Sequence, residues 1–417
     1  MAQTSTNSFS TINAWVKLIY ADELQTLIPE GVRLVKAIKF TQGDKELGDQ
    51  YIQPVALTHE FGFSVGTGAF TLAASIAATY AQAAIRGNNL LLRTSIAYDA
   101  MARASNDKKA FMKWSEQVIG NMTSSFTKRL EVLHFYGSSS LGIVGGVSNS
   151  SGVNTLTLST ATWASGIWAG TEGMELDVWT AITGGTQRNT VATLVVTAVD
   201  LVARTVQVTG NNADTSTIAA ADYVFYRGFR GNEMNGLDAI ITNTGSLYGI
   251  SAATYALWKG NSYSAGNAKL TFKKIQQAIA LGVNRGLDEK VTCYVSVSTY
   301  ADLNTDLSAA RKFDQGYSKA KGTNGFESIT FYGVNGEVEI VPSIYCKEGE
   351  AFCVALSKLK RLGSTDVTMR MPGQSEDQFV LQLPSNAGYE MRLFYDGNLF
   401  SERPAWMTKI LGIVNDL

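Results

Sequence analysis

Histidine, cysteine and charge are scarce in this sequence, and each shortage removes a class of function. There are two histidines, His59 and His134. Neither sits in a His-Glu-x-x-His or His-x-x-Glu-His pattern, so zinc hydrolysis is not expected. The three cysteines, Cys293, Cys346 and Cys353, show no metal spacing and no disulfide framework, which fits a reducing compartment. Charged residues make up 17% of the chain, below the usual quarter. The 35 basic and 36 acidic side chains leave a net charge of −1, so no global basic field exists to bind nucleic acid. Gly-x-x-x-x-Gly-Lys-Ser/Thr is missing, which argues against a P-loop, and no hydrolase elbow is expected. The carboxylate pairs Glu172/Glu175 and Asp288/Glu289 read as solvated charges rather than a general acid and base. No catalytic residue, metal site or cofactor is expected.

Long apolar runs are lacking too. Residues Phe61 to Ile85 carry no charge but are crowded with Gly, Ser, Thr and Ala, unlike a Leu-rich membrane span. The opening MAQTSTNSFS has no basic region followed by an apolar run, so no signal peptide is expected.

What the chain does have is one long helical stripe. Between Asn106 and Tyr136 the apolar residues Phe111, Trp114, Val118, Met122, Phe126, Leu130 and Leu133 recur every three or four positions, which predicts an amphipathic helix. Asp107 near its start and Lys128, Arg129 and His134 toward its end suit the helix dipole. Ser105 or Asn106 can cap it, and Gly137 stands just past the end. At about 1.5 Å per residue it is roughly 45 Å long, a spine on which other elements can be laid.

Before the spine, residues 1–30 read as an arm with a helical turn or two over Ala21 to Ile28. Val32 to Phe40 is ambiguous between strand and helix. Gln50 to Thr58 reads as a strand that Pro54 confines to an edge. Gly66-Thr67-Gly68 reads as a flexible tip, and Tyr80 to Arg86 and Leu90 to Ser95 as returning strands. The resulting ribbon is marginal alone in water, so it must pack on another body, within the subunit or on a neighbour. Ile96 to Ala104 is predicted helical.

After the spine, lysine is absent from Arg129 to Trp258. Short β-runs at Thr155–Thr160, Met174–Thr180, Thr193–Asp200, Thr205–Gly210 and Tyr223–Arg227 predict a small barrel or sandwich. Further on, a helix is expected from Thr271 to Arg285, a strand over Val291–Val297 and a helix opened by Thr299-x-x-Asp302. Asn335-Gly336 predicts a hairpin, Ala351–Leu356 a strand, and Asp396-Gly397 a second hairpin. Met407 to Val414 closes the chain as a strand or short helix.

This order of elements, an α+β class, resembles the tailed-phage major capsid proteins of the Hong Kong 97-type fold, in the branch with a β-module inserted after the spine. Local phrases are similar as well: Gly48-Asp49-Gln50-Tyr51-Ile52-Gln53-Pro54-Val55, Leu90-Leu91-Leu92-Arg93 with Tyr98-Asp99-Ala100-Met101-Ala102-Arg103, Gly236-Leu237-Asp238-Ala239-Ile240-Ile241, and Gly245-Ser246-Leu247-Tyr248-Gly249-Ile250 leading to Trp258-Lys259-Gly260. The resemblance implies an N-terminal arm with first peripheral elements (1–48), an extended β-ribbon loop (49–94), a peripheral domain with the spine (95–146), an inserted barrel-like domain (147–228), a mostly axial domain (229–363) and returning strands (364–417). It also implies a virion protein, assembled in the host bacterial cytoplasm into homo-pentamers and homo-hexamers of an icosahedral head around double-stranded DNA. A separate scaffolding protein, a portal and decoration proteins are the implied partners, with no membrane.

Basic residues are the candidate intersubunit or DNA-facing contacts: Lys45, Arg86 and Arg93 around the ribbon, Lys108, Lys109 and Lys113 at the start of the spine, and Lys358, Lys360 and Arg361 after a strand. Two other functions compete. One is an encapsulin-like nanocompartment shell with the same fold. The other is a carbohydrate-binding or carbohydrate-acting protein using Trp163, Trp168 and Trp179.

Overall fold

The computed structural model describes residues 31–42, 50–97, 108–150, 153–210, 215–305, 329–334, 336–369, 380–383 and 387–416. The arm before residue 31 and its expected helical turn lie outside them, as does most of the helix expected over Ile96 to Ala104. Ile96 itself belongs to a strand, Asn88–Ala97.

The spine is a 29-residue helix, Lys108–Tyr136. Met122, Phe126, Leu130 and Leu133 of the stripe are buried. Its inward face also carries a carboxylate: Glu131 accepts the backbone N–H groups of Arg33, Leu34 and Val35 at 3.0, 2.8 and 2.8 Å. These are donors at the first turn of the short helix Leu34–Ala37, which have no intrahelical partners. Burial pushes the Glu131 carboxyl up, and the three amides pull it back down. The ambiguous stretch is thus both things in turn, this helix and then a strand, Phe40–Gln42.

The spine ends differently from its expected cap. Ser138, not Gly137, takes the left-handed conformation, with φ of 58°. Gly137 is needed for space: a Cβ there would lie 2.2 Å from the carbonyl oxygen of Met234. The Gly236 N–H donates to the Gly137 carbonyl at 2.9 Å. Two passages of chain therefore run side by side at the end of the spine, and what lies between them is a closed six-stranded barrel.

The barrel strands are Gly142–Ser150, Val153–Leu158, Glu175–Trp179, Leu194–Asp200, Thr205–Thr209 and Tyr223–Tyr226. Alternate residues such as Leu156, Leu176, Leu194, Val206 and Val224 fill the interior. The first strand has no sequence signal, because its glycines and serines read as a linker.

Beyond the barrel, a six-stranded mixed sheet runs in the order Asn261–Ala268, Thr408–Ile413, Glu350–Val354, Val291–Val295, Gly336–Pro342, Ile329–Gly333. The helix Phe272–Val283, capped by Thr271, buries Ile275, Ala278 and Ile279 in the same apolar cluster as Val295, Ile340 and Ile410 of this sheet. The next helix begins at Val297, two residues before the expected start. Ser296 is its cap, with its Oγ accepting the Thr299 N–H at 3.2 Å. Cys293 and Cys353 stand opposite each other on neighbouring antiparallel strands and form a disulfide. That corrects the expectation of no disulfide: 60 residues separate the pair, and only the strand register brings them together.

The strands on either side of Asn335-Gly336 pair as a hairpin, with Gly333 opposite Gly336, and Asn335 itself lies outside the described residues. The Asp396-Gly397 hairpin is not. Gly388–Ser401 is one continuous 14-residue strand, paired on one side with Asn88–Ala97 and on the other with Leu359–Thr368. With both neighbours holding it, the local turn preference is overridden. Gly397 serves close packing instead, since a Cβ there would meet the Tyr395 hydroxyl at 2.5 Å.

Candidate assembly surface

The ribbon has an anchored root and a bare outer half. Tyr51–Ala56 pairs with Tyr80–Ile85 in antiparallel register, Tyr51 opposite Ile85 and Ala56 opposite Tyr80. Pro54 is tolerated because a two-stranded ribbon has free edges. At the root, Ala83 and Ile85 are buried, the Ala84 N–H donates to the Tyr248 carbonyl at 3.0 Å, and Tyr51 meets the Phe400 ring edge-on. Farther out the strands are held by scattered bonds. Phe61 and Ile76 exchange both backbone bonds at 2.9 and 2.7 Å, and Ser64 Oγ accepts the Ala73 N–H at 2.6 Å.

The expected ribbon is shorter than the sequence implies. Leu90 to Ser95 does not return along it. The strand Asn88–Ala97 crosses into the other sheet and pairs along ten residues of Gly388–Ser401.

The outer ribbon exposes Phe61, Phe63, Val65, Phe70, Leu72 and Ile76, with Phe63 at 83% and Val65 at 97%. No charged side chain lies between Phe61 and Ile85. Exposed single apolar residues are ordinary, whereas a contiguous group marks an interaction surface. This is the feature of the chain most in need of a partner.

The basic residues behave otherwise. Lys45 lies outside the described residues, and so do the side chains of Lys108, Lys109 and Lys113. Arg86 is exposed at the ribbon root. Arg93, also exposed, faces Glu390 at 3.4 Å. Lys358 pairs with Glu289 at 2.8 Å, and Lys360 with Glu402. Arg361 is buried, bound to Asp366 at 2.6 Å and lying 5.4 Å from the Phe40 ring and 5.5 Å from that of Tyr395. It offers no free cation to a phosphate. The run Lys358, Lys360, Arg361 therefore holds strands to one another and does not make an open basic patch.

The sugar-binding alternative fails on geometry. Trp163 and Trp168 are 1% and 0% exposed and stack on each other with centroids 6.1 Å apart. Trp179 is covered by Arg230, whose guanidinium carbon is 3.9 Å from the ring centroid and which donates to the carbonyls of Ala181 and Ile182. Trp163 and Trp168 present no open face for a sugar, and Trp179 has one face taken by Arg230.

Titratable groups inside the subunit are spent on structure. Lys409 donates to Asp238 at 2.5 Å and to Glu350 at 2.8 Å, and the Ser139 hydroxyl donates to the other Asp238 oxygen at 2.5 Å. Lys347 donates to the Ser140 carbonyl and lies over the Tyr136 ring at 3.8 Å. This seam joins the end of the spine to the six-stranded sheet, and sequence gave no hint of it because its members are spread over 270 positions. His134 is fully buried, its Nδ1 2.7 Å from the Leu130 carbonyl. Burial, with Arg361 adding repulsion, lowers its pKa to about 3, so it is neutral at ordinary pH. Among the described residues, no group of three or more His, Cys, Asp and Glu side chains is placed to hold a metal ion, and no helix is long and apolar enough to cross a membrane.

No family model and no curated protein matches this sequence. Solved structures do. The capsid asymmetric unit of cyanophage A-1(L) aligns with a TM-score of 0.56 at 12% identity, over 97% of this chain and 99% of that one. The capsid of the native GTA particle aligns at 0.49 and 9% identity, over 99% and 100%. The holo-SrpI encapsulin complex of Synechococcus elongatus PCC 7942 aligns at 0.43 and 7% identity, over 97% and 95%. The latter two likenesses are too distant to carry an argument. The first is end to end, and it establishes that this chain has the fold of the cyanophage A-1(L) capsid subunit.

Proposed function

We propose that this chain is a phage major capsid protein, a structural subunit that assembles with copies of itself into the pentamers and hexamers of an icosahedral head around double-stranded DNA. The observation that carries this reading is the outer ribbon: an uncharged apolar surface, extended away from any core of its own subunit, on a chain with a capsid fold. Self-association is the function, and no catalytic step is needed. In this reading residues 1–48 are the arm, the extended loop starts at 49 and closes before the strand Asn88–Ala97 rather than at 94, the peripheral domain with the spine follows, the inserted domain starts with the strand Gly142–Ser150 rather than at 147 and runs to 228, 229–363 is mostly the axial domain and 364–417 the returning strands. A separate scaffolding protein, a portal and decoration proteins complete the particle. Assembly takes place in the host cytoplasm and the product is the virion.

Analytical ultracentrifugation with negative-stain imaging of the same sample tests this, with and without a co-expressed scaffold. Pentamers, hexamers or closed shells are expected. A monodisperse monomer at every concentration overturns the reading, and shells filled with an enzyme in place of DNA point to a nanocompartment.

A further inference from the structure

The ribbon meets the body of its subunit at a strained tyrosine. Just before the six-stranded sheet begins, the chain makes a short hairpin, with Ser246 opposite Ser251 and Leu247 opposite Ile250. Its two turn residues, Tyr248 and Gly249, are both left-handed, with φ of 53° and 84°. A two-residue hairpin turn calls for this conformation and is usually built with Asn, Asp or Gly at its first place. A bulky side chain there is an outlier. Such strain persists only where the surroundings hold the residue from several sides.

Three parts of Tyr248 are held. Its hydroxyl donates to the Leu399 carbonyl at 2.6 Å. Leu399 stands two positions beyond Gly397, the last residue of its strand to lie opposite Asn88–Ala97, so this bond falls just past the point where the chain coming from the ribbon joins the sheet. The tyrosine ring meets Phe400 edge-on at 5.3 Å, and Tyr51 of the ribbon meets the same Phe400 ring at 6.5 Å. The Tyr248 carbonyl accepts the N–H of Ala84, on the ribbon's other strand. The hairpin is braced from behind by buried Trp258, whose Nε1 donates to the Leu247 carbonyl at 3.0 Å. One side chain and its own backbone thus link the sheet to both ribbon strands.

We propose that Tyr248 is a positioning residue that fixes the direction in which the ribbon leaves its subunit. The turn alone does not need a tyrosine. The contacts of its hydroxyl and ring offset the strain of the left-handed backbone, and the carbonyl of that same strained residue receives the ribbon. The proposal deepens the shell reading and rests on it for the ribbon's purpose, since an aimed ribbon matters only if it must meet a neighbouring copy.

The test is hydrogen exchange, read by mass spectrometry on the full-length unassembled subunit, in peptides covering Tyr51–Ala56 and Tyr80–Ile85. Tyr248→Phe keeps the turn and the ring and loses only the hydroxyl's bond, so the ribbon amides should exchange about fivefold faster. Tyr248→Asn suits the left-handed turn better than tyrosine does but removes ring and hydroxyl together, so exchange there should rise by more than about tenfold. A residue that served the turn alone predicts the reverse, an Asn variant at least as well protected as the wild type. Peptides from Val291–Val295 and Glu350–Val354 should exchange at wild-type rates in both variants. Both variants should also give fewer closed shells. Ribbon amides as slow as in the wild type, or a rise shared equally by the sheet peptides, would overturn the proposal. Failure of the shell reading looks different: the unsubstituted chain forms no shells, whatever its exchange rates.

Discussion

The ribbon and the six-stranded sheet are both built from β-strands, yet they stand at opposite ends of a range. The central strands of the sheet are buried inside its subunit. Val295, Ile340 and Phe352 are all 0% exposed, one face packs on the helix Phe272–Val283, and the other meets the spine through Phe352, 5.8 Å from Phe135 and 5.9 Å from Tyr136 between ring centroids. The outer ribbon has comparable apolar side chains that none of the described residues covers. Hydrophobic burial stabilises a strand only when the covering surface exists, and in the proposed shell the ribbon's covering surface belongs to another molecule. Where a residue's stabilising partner lies, in its own chain or in the next, decides which measurement detects its loss.

Three substitutions probe that contrast on the unassembled subunit. Phe352→Ala removes a ring wedged between sheet and spine and should lower the unfolding free energy by about 3–5 kcal/mol in urea titration. An effect below 1 kcal/mol would mean the two bodies are not packed as one core. His134 is the second. Its folded pKa is depressed, so the unfolded chain binds the proton more readily, and stability should fall as pH drops from 6.5 toward 3. The slope should approach about 1.4 kcal/mol per pH unit within that window. His134→Leu should flatten the slope, and an unchanged slope would assign the acid sensitivity to other groups. The smallest effect on stability is expected at the ribbon. Phe63→Ser should change the subunit by no more than about 0.5 kcal/mol while sharply reducing shell formation. A drop matching that of Phe352→Ala would place a core around the ribbon within its own subunit and erase the contrast.

Much of this was legible in the sequence where a periodic signal is long or a turn is chemically specific. The stripe from Val118 to Leu133 and the Asn335-Gly336 turn are of that kind. The uncharged stretch from Phe61 to Ile85 marked the outer ribbon. Failures came where neighbours decide. Asp396-Gly397 carries the same turn chemistry as Asn335-Gly336, but two flanking strands keep it extended. Gly142 to Ser150 lacks any strand signal, yet closing the barrel recruits it. The charge of Arg361 was visible and its burial was not, because Phe40, Asp366 and Tyr395 meet it only after folding.

The ten-residue pairing of Asn88–Ala97 with Gly388–Ser401 makes the ribbon a cantilever. Its clamp is tight: a Cβ on Gly87 would lie 2.1 Å from Asp396 Oδ1, and Asn398 Nδ2 donates to the Arg86 carbonyl at 3.0 Å. A beam clamped at one end bends most easily where its bracing is sparsest, and here that is the span beyond Ala56 and before Tyr80. In the proposed shell, copies in unequal surroundings can therefore differ in the sweep of their ribbons while the clamp, and the sheet behind it, stay alike.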